Sequence, residues 1–321
     1  NSRGMVTVYH NRIVTDEDIR RVIDAAQVLI PNDREILHIL PQEFIVDDQD
    51  GVQNPLGMAA ARLEVNVHIV TGSVTSAQNI IKCCNQSGLD VEDIVLEPLS
   101  SSQAVLSPDE QEVGVVLVDI GGGTTDVTIY SEGSIVHTAV LALGGNHLTH
   151  DIAIGLGAPL HEAEEIKHNF GVAMTSMVKE NDMIEVPSVG GRNNRTMKKR
   201  VLASIIEDRF REIFELIAHE IEKTHFHTLM ASGVVITGGT CIMPGADQLA
   251  SQVLNLPVRV GFPENISGLR EMIYSPKYAT SVGLVRYGIT SNQGKLHFAG
   301  DDTNLFHKVS RRMKDWMQNF F

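Results

Sequence analysis

"VDIGGGTTD", Val118 to Asp126, is the stretch whose reading decides the fold. It continues "VGVVL", Val113 to Leu117, so an almost wholly apolar strand runs into three consecutive glycines. Such a strand belongs in a sheet covered on both faces. Glycines let the backbone curl through positive φ and approach a ligand closely. The N–H groups of Gly121, Gly122 and Gly123 could then line a phosphate. Asp119, at the strand end, could hold a metal ion through a bound water, and Thr124 and Thr125 add hydroxyls. Asp126 closes the turn. The same letters also suit a β-hairpin with a flexible tip, and glycine-rich loops are common, so this motif alone leaves both readings open.

Working outward, the glycine stretch opens the second of two α/β units, which starts near Val113 as strand, glycine turn, strand, turn, strand. Helices are expected over 146–156 and 160–170, strands around a loop over 182–195, and a long helix over 197–226. Val201, Leu202, Ile205, Ile206, Phe210, Ile213, Phe214, Ile217 and Ile221 make that helix's apolar stripe at steps of three and four. A buried strand, "GVVITGG", then leads to a helix over 246–254, a strand over 257–263 and a small-residue helix, "YATSVGLVRYG". Upstream, residues 2–72 read as a smaller unit, with a helix over 15–30 capped by Thr15 and two alternating strands, "EILHILPQEFIVD" and "LEVNVHIVTG". A helix over 76–88, a strand over 93–98 and a helix over 99–107 join the two units. Residues 291–304 are polar and rich in turn formers, as in a linker.

Composition narrows the class. A chain of 321 residues is long enough for about two domains, and 43% hydrophobic residues supply a real core. There is no run of about eighteen apolar residues to span a membrane. The net charge of −14 argues against a general nucleic-acid binder. Cys83, Cys84 and Cys241 lack metal-ligand spacing and read as small buried apolar residues.

Three further motifs accompany the glycine loop. The buried strand "VVIT" ends in Gly238 and Gly239, with a helix soon after. Glu164 and Lys167 share a helix face at i, i+3 and could grip a ribose, or could be a solvated ion pair. Glu97, before Pro98 at a strand-to-helix junction, could orient a water on a terminal phosphate, or could be an acid suiting a helix N-terminus.

In this order the motifs resemble the actin-like ATPase superfamily, an α/β, ribonuclease H-like two-domain fold. There they are the first connecting helix, second phosphate loop, ribose contacts, adenosine loop and second connecting helix. Within it, "VDIGGGTTDVTIY", "IEVPSVGGR" and "YATSVGLVRYG" resemble segments of the FtsA family of bacterial cell-division proteins, and the likeness runs from about Gly4 to the end. The resemblance implies ATP and Mg2+ as ligands, with Glu97 and Asp119 in catalytic positions. It implies that 1–72 is the family's subdomain IC, which faces other division proteins. Residues 73–112 are then the remainder of IA, 113–150 and 233–270 the two parts of IIA, 151–232 subdomain IIB, and 271–290 the return helix to IA. Subdomain IIB implies binding of the C-terminal peptide of FtsZ, with Arg192, Arg195, Lys199 and Arg200 as basic candidates for that contact. The family role implied is a polymer-forming protein, not a metabolic enzyme, on the cytoplasmic side of the membrane at the septum. A pilus-assembly homologue, or a kinase or chaperone of the same fold, is the alternative. The superfamily's first phosphate loop, a "DxGT" type, has no counterpart here. About a quarter of a family member is therefore expected to be missing, and the chain as written is expected to bind ATP weakly.

The tail "FHKVSRRMKDWMQNFF", Phe306 to Phe321, carries +3 and leaves −17 on the rest. As a helix it would span roughly 24 Å. Phe306, Val309, Met313, Trp316, Met317 and Phe320 would share one face, with Lys308, Arg311, Arg312 and Lys314 flanking it. That pattern fits a helix lying in the plane of an anionic membrane after a linker, 291–305, where each basic residue contributes about 1 kcal/mol. Trp316→Glu is expected to abolish flotation with anionic vesicles while leaving the body folded; unchanged flotation refutes the anchor.

Overall fold

Thr15 starts the first helix as its sequence demands. Its hydroxyl accepts the Asp18 N–H while the Asp18 carboxylate accepts the Thr15 N–H, a reciprocal cap that opens α1, Asp16–Ala25. The computed structural model describes residues 1–9, 12–27, 33–188, 193–224, 230–268 and 270–292. Arg192, the chain after 292 with its linker and basic tail, and residues 28–30 and 225–226 of two expected helices lie outside the described residues. The helix α1 ends before the expected residue 30, because its buried stripe of Ile19, Val22 and Ala26 is complete by then.

Two compact units divide the described residues: Asn1–Ser76 with residues 287–292 at the end of the last helix, and Ala77–Arg286. In the first, β1 (Ser2–Thr7), β2 (Arg34–Val46), β3 (Gln49–Val52) and β4 (Arg62–Ser73) form an antiparallel sheet in the order β1-β4-β2-β3. Pro41 sits inside β2, where the pairing with β4 slips between Pro41 and Glu43; a residue without an N–H is tolerated at such an irregularity. Val22 of α1 packs with Phe44, Leu63, Val65 and Val67 of the sheet. The helix lies so close that a Cβ on Gly4 would stand 2.2 Å from the Val22 carbonyl oxygen.

Beyond β4 come α2 (Val74–Gln86), α3 (Glu97–Val105) and α4 (Pro108–Val113). The strand expected over 93–98 is absent: residues 91–96 have no ladder partner among the described residues, and the helix starts at Glu97 with Pro98 in its first turn. The helix α4 was legible as "SPDE" but not foreseen; Ser107 and Glu110 cap it reciprocally. On α2 only Ala77 is buried, so Cys83 is exposed rather than buried, while Cys241 is buried as expected.

The second unit is built on β5 (Val115–Ile120), β6 (Thr125–Ser131) and β7 (Ser134–Leu141), then α5 (Gly145–Leu156), α6 (Leu160–Phe170), β8 (Met183–Val186), β9 (Arg195–Lys198) and α7 (Lys199–Glu222). It continues through β10 (Val234–Thr237), α8 (Ala246–Leu254), β11 (Val258–Val260), α9 (Arg270–Ile273) and α10 (Ala279–Asn292). The main sheet runs β11-β10-β5-β6-β7, with β5, β10 and β11 parallel and the β5-β6-β7 meander antiparallel. Every residue of β5 is buried, as expected of a strand covered on both faces. Val116, Val118 and Ile120 face a core shared with Leu148 and Ile152 of α5, Leu249 of α8 and the stripe of α7. Two members of that stripe depart from expectation. Val201 is exposed and Ile205 only half-buried: these two, at i and i+4, lie on the flank of the stripe, while Leu202 and Ile206 beside them take its buried centre. Phe210 and Phe214 are fully buried and stack with centroids 5.6 Å apart. Phe210→Ala is expected to cost about 3–5 kcal/mol in denaturant unfolding, since it empties a site with no exposed side to collapse from.

Candidate functional site

Side chains of a strand alternate between faces, so Asp119 shares the face of Val115 and Leu117, opposite the α7 core. That face is covered by α3. There Ser101, buried on α3, donates its hydroxyl to Asp119 Oδ2. Thr280, in the first turn of α10, lies 3.3 Å from the same oxygen and 3.4 Å from Glu97 Oε1.

The hairpin register pairs Asp119 with Asp126, directly across β5 and β6. Asp126 therefore does not close the turn, as the letters suggested; it is the second residue of β6 and stands on the same sheet face as Asp119. Two carboxylates so placed repel, and cross-strand pairs have Cβ atoms about 5 Å apart. Burial, then the charges of Glu97 and Asp119, push Asp126 up to about 7, against a hydrogen bond from Thr124. Burial also raises Asp119, against its two hydroxyl donors. Glu97 opens α3, where a helix N-terminus would hold its carboxyl low. Burial and the charge of Asp119 instead hold it above its ordinary value, so crowding outweighs the helix dipole.

The glycine loop is tied down on one side. The Gly121 carbonyl accepts from Gly145 N at 2.9 Å and from the Thr240 hydroxyl at 2.9 Å, and the Gly122 carbonyl accepts from Asn146 N at 2.7 Å. A trans peptide sets its N–H opposite its C=O, so the N–H groups of Gly122 and Gly123 face away from α5. Gly122, Gly123 and Thr124 are exposed, whereas Thr125 is buried with its hydroxyl on the Leu143 carbonyl. The loop is the tip of the β5–β6 hairpin, with the Gly121 N–H closed on the Thr124 carbonyl and the amides of Gly122 and Gly123 facing away from α5.

Gly238 must be glycine. Its φ is +92°, and a Cβ there would stand 2.5 Å from both Asp119 Oδ1 and the Ile120 carbonyl oxygen. Gly239 starts a turn of 3-10 helix, where a Cβ would stand 3.7 Å from Lys277 Cβ, an ordinary contact. Lys167 is buried rather than solvated: its ammonium donates to Glu164 at 2.7 Å, Thr149 at 2.8 Å and the Gly145 carbonyl at 3.1 Å. Those three bonds use all three of its protons. It braces α6 against the start of α5, and its link to a ribose would run through Glu164. Of the basic candidates, Arg195 donates to the Leu156 carbonyl at the end of α5, Lys199 is half-buried at the start of α7, and Arg200 is exposed.

The residues fit an anionic ligand with a divalent cation. Outward amides suit phosphate, and the crowded carboxylates suit positive charge. Among the described residues no group of three or more His, Cys, Asp or Glu side chains is arranged to hold a metal ion directly. A cation here would sit on Asp119 through water. Replacing Asp126 tests the crowding. Its folded-state pKa is raised, so the proton it keeps stabilises the fold at low pH, and that stability is lost as pH rises through about 7. Asp126→Asn should therefore raise Tm most at about pH 8, and the gain should shrink steadily as pH falls below about 7 and vanish only near about pH 4, the ordinary range of the carboxyl.

Comparison with known proteins gives the family and the fold. The family model described as "Cell division protein FtsA" matches residues 116–283, and "SHS2 domain inserted in FTSA" matches residues 1–71. The chain is 42% identical to the cell division protein FtsA of Pseudomonas aeruginosa over 327 aligned positions, covering 100% of this chain and 78% of that protein. Among solved structures, MreB5 of Spiroplasma citri bound to ADP aligns with TM-score 0.56 at 18% identity, over 69% of this chain and 67% of that one. The PilM–PilN type IV pilus complex aligns with TM-score 0.56 at 15% identity, over 90% of this chain and 77% of that one. These likenesses show the actin-like fold alone, and the pilus alternative has no support in sequence beyond it. Among the described residues no helix is long and apolar enough to cross a membrane. The chain belongs to the FtsA family of cell division proteins.

Proposed function

We propose that this protein binds ATP with Mg2+ at the β5–β6 loop and tethers FtsZ filaments to the inner face of the membrane at the division septum. The observation that carries the nucleotide reading is the hairpin register, which sets Asp119 and Asp126 side by side next to a loop with outward amides. The amides of Gly122 and Gly123 with the hydroxyl of Thr124 line the phosphates, while the Gly121 N–H donates to the Thr124 carbonyl and the buried Thr125 hydroxyl to the Leu143 carbonyl, so these two hold the turn instead. Asp119 holds the cation through water, and Glu97 orients a water toward the terminal phosphate. Gly238 and Gly239 face the adenosine, and Glu164, braced by Lys167, takes the ribose. The cation supplies charge neutralisation on the phosphates. The bound ATP sets the polymer state and drives no metabolic chemistry.

Residues 1–72 act as subdomain IC toward other division proteins, a reading supported by the family match over residues 1–71. Residues 151–232 act as subdomain IIB toward the FtsZ C-terminal peptide, with Arg200 exposed at the head of α7. The basic tail supplies the lipid contact, and self-association supplies the polymer. Reconstitution on vesicles tests the tether. FtsZ should float with anionic vesicles only when this protein is added. Arg200→Glu should lower FtsZ-peptide affinity severalfold while vesicle binding is kept. FtsZ that stays in solution with vesicle-bound protein overturns the tethering role.

A further inference from the structure

α3 and α10 touch more closely than side chains allow. Gly283 of α10 lies on the backbone of α3: a Cβ there would stand 1.8 Å from the Ser100 carbonyl oxygen. Ser100, Ser101 and Ser102 are all buried on α3; the first two meet Thr280, whereas Ser102 accepts from Tyr130 of β6. The Ser100 hydroxyl donates to the Thr280 carbonyl at 2.7 Å, pinning the start of α10. The crossing therefore sets where the Thr280 hydroxyl stands. It stands between two carboxylates, 3.3 Å from Asp119 and 3.4 Å from Glu97, and 3.1 Å from the Ser101 hydroxyl.

The proton count makes this placement consequential. A hydroxyl has one proton to donate. Ser101 gives its own to Asp119. Thr280 has one proton for two acceptors, so Glu97 and Asp119 compete for it. A cation that satisfies Asp119 leaves that proton for Glu97, the residue assigned to the water.

We propose that Thr280 is a positioning residue, held by the Gly283–Ser100 crossing, whose hydroxyl aims Asp119 and Glu97 together and passes from one to the other when a cation arrives. It rests on the nucleotide reading above. It touches neither phosphate nor cation; it acts through the two carboxylates.

Binding of a fluorescent ATP analogue to the full-length protein, with Mg2+ and with chelator, tests it. Thr280→Val keeps the shape and removes the proton. Its affinity with Mg2+ should fall about tenfold, the scale of a lost hydrogen bond to a charged group, while affinity in chelator is unchanged. Thr280→Ser should restore the wild-type value. Thermal melting without nucleotide supplies a second readout. Ser101 and Thr280 serve the same Asp119 oxygen, so Ser101→Ala with Thr280→Val should lower Tm by more than the two single losses together. A Val variant equal to wild type, a Ser variant as poor as Val, or an equal loss in chelator overturns the positioning role and leaves the nucleotide reading standing. Absence of any nucleotide binding by wild type rejects that reading itself, and the positioning role with it.

Discussion

The crowding of Asp119, Asp126 and Glu97 on one side of β5 and β6 is the constraint on which the candidate site depends. A hairpin whose register sets two carboxylates opposite each other on a buried face is unfavourable on its own. The structure offsets it with donors from two different helices. Ser101 comes from α3 and Thr280 from α10, and Thr124 serves Asp126 from the loop. Glu97 adds a third negative group, and its own carboxyl is raised by burial and by Asp119. Such crowding is expensive for stability, and a cation would relieve it. Perturbed carboxylates gathered beside an exposed loop mark a functional site more often than a structural one.

Close backbone approach is the second constraint, and it recurs wherever the site needs precise placement. Gly238 lets β10 come against Asp119 and Ile120. Gly144 faces the carbonyls of Gly121 and Gly122, where a Cβ would stand within 2.9 Å. Gly283 lets α10 rest on α3. Each of these glycines removes a side chain so that a polar atom elsewhere can be held at hydrogen-bond distance. Lys167 then locks the arrangement from the other side through the Gly145 carbonyl. The loop is thus fixed on its carbonyl face, and its exposed amides are the face left for a ligand.

Much of the fold was readable from periodicity. The apolar run of β5, the Thr15 cap and the stripe of α7 apart from Val201 and Ile205 behave as their patterns require. The failures have physical causes. Residues 93–96 look like a strand, but a strand exists only with a partner, and local sequence cannot report one. Val201 fits the stripe's spacing yet is exposed, because spacing does not say where the packed face ends. Cys83 follows from composition as buried, but α2 turns that residue outward. Lys167 reads as half of a surface ion pair, and only the packing of α5 on α6 buries it.

By itself the sequence determined most of the elements and the glycine loop after a doubly covered strand, and it singled out Asp119, Glu97, Gly238 and Glu164 as candidates. Those are local properties, written in residue type and short spacing. Tertiary structure alone decided that Asp126 stands beside Asp119, since that depends on hairpin register. It alone brought Ser101 and Thr280 to one carboxylate oxygen. These two lie far apart in the chain, and only a crossing close enough to need Gly283 makes them neighbours.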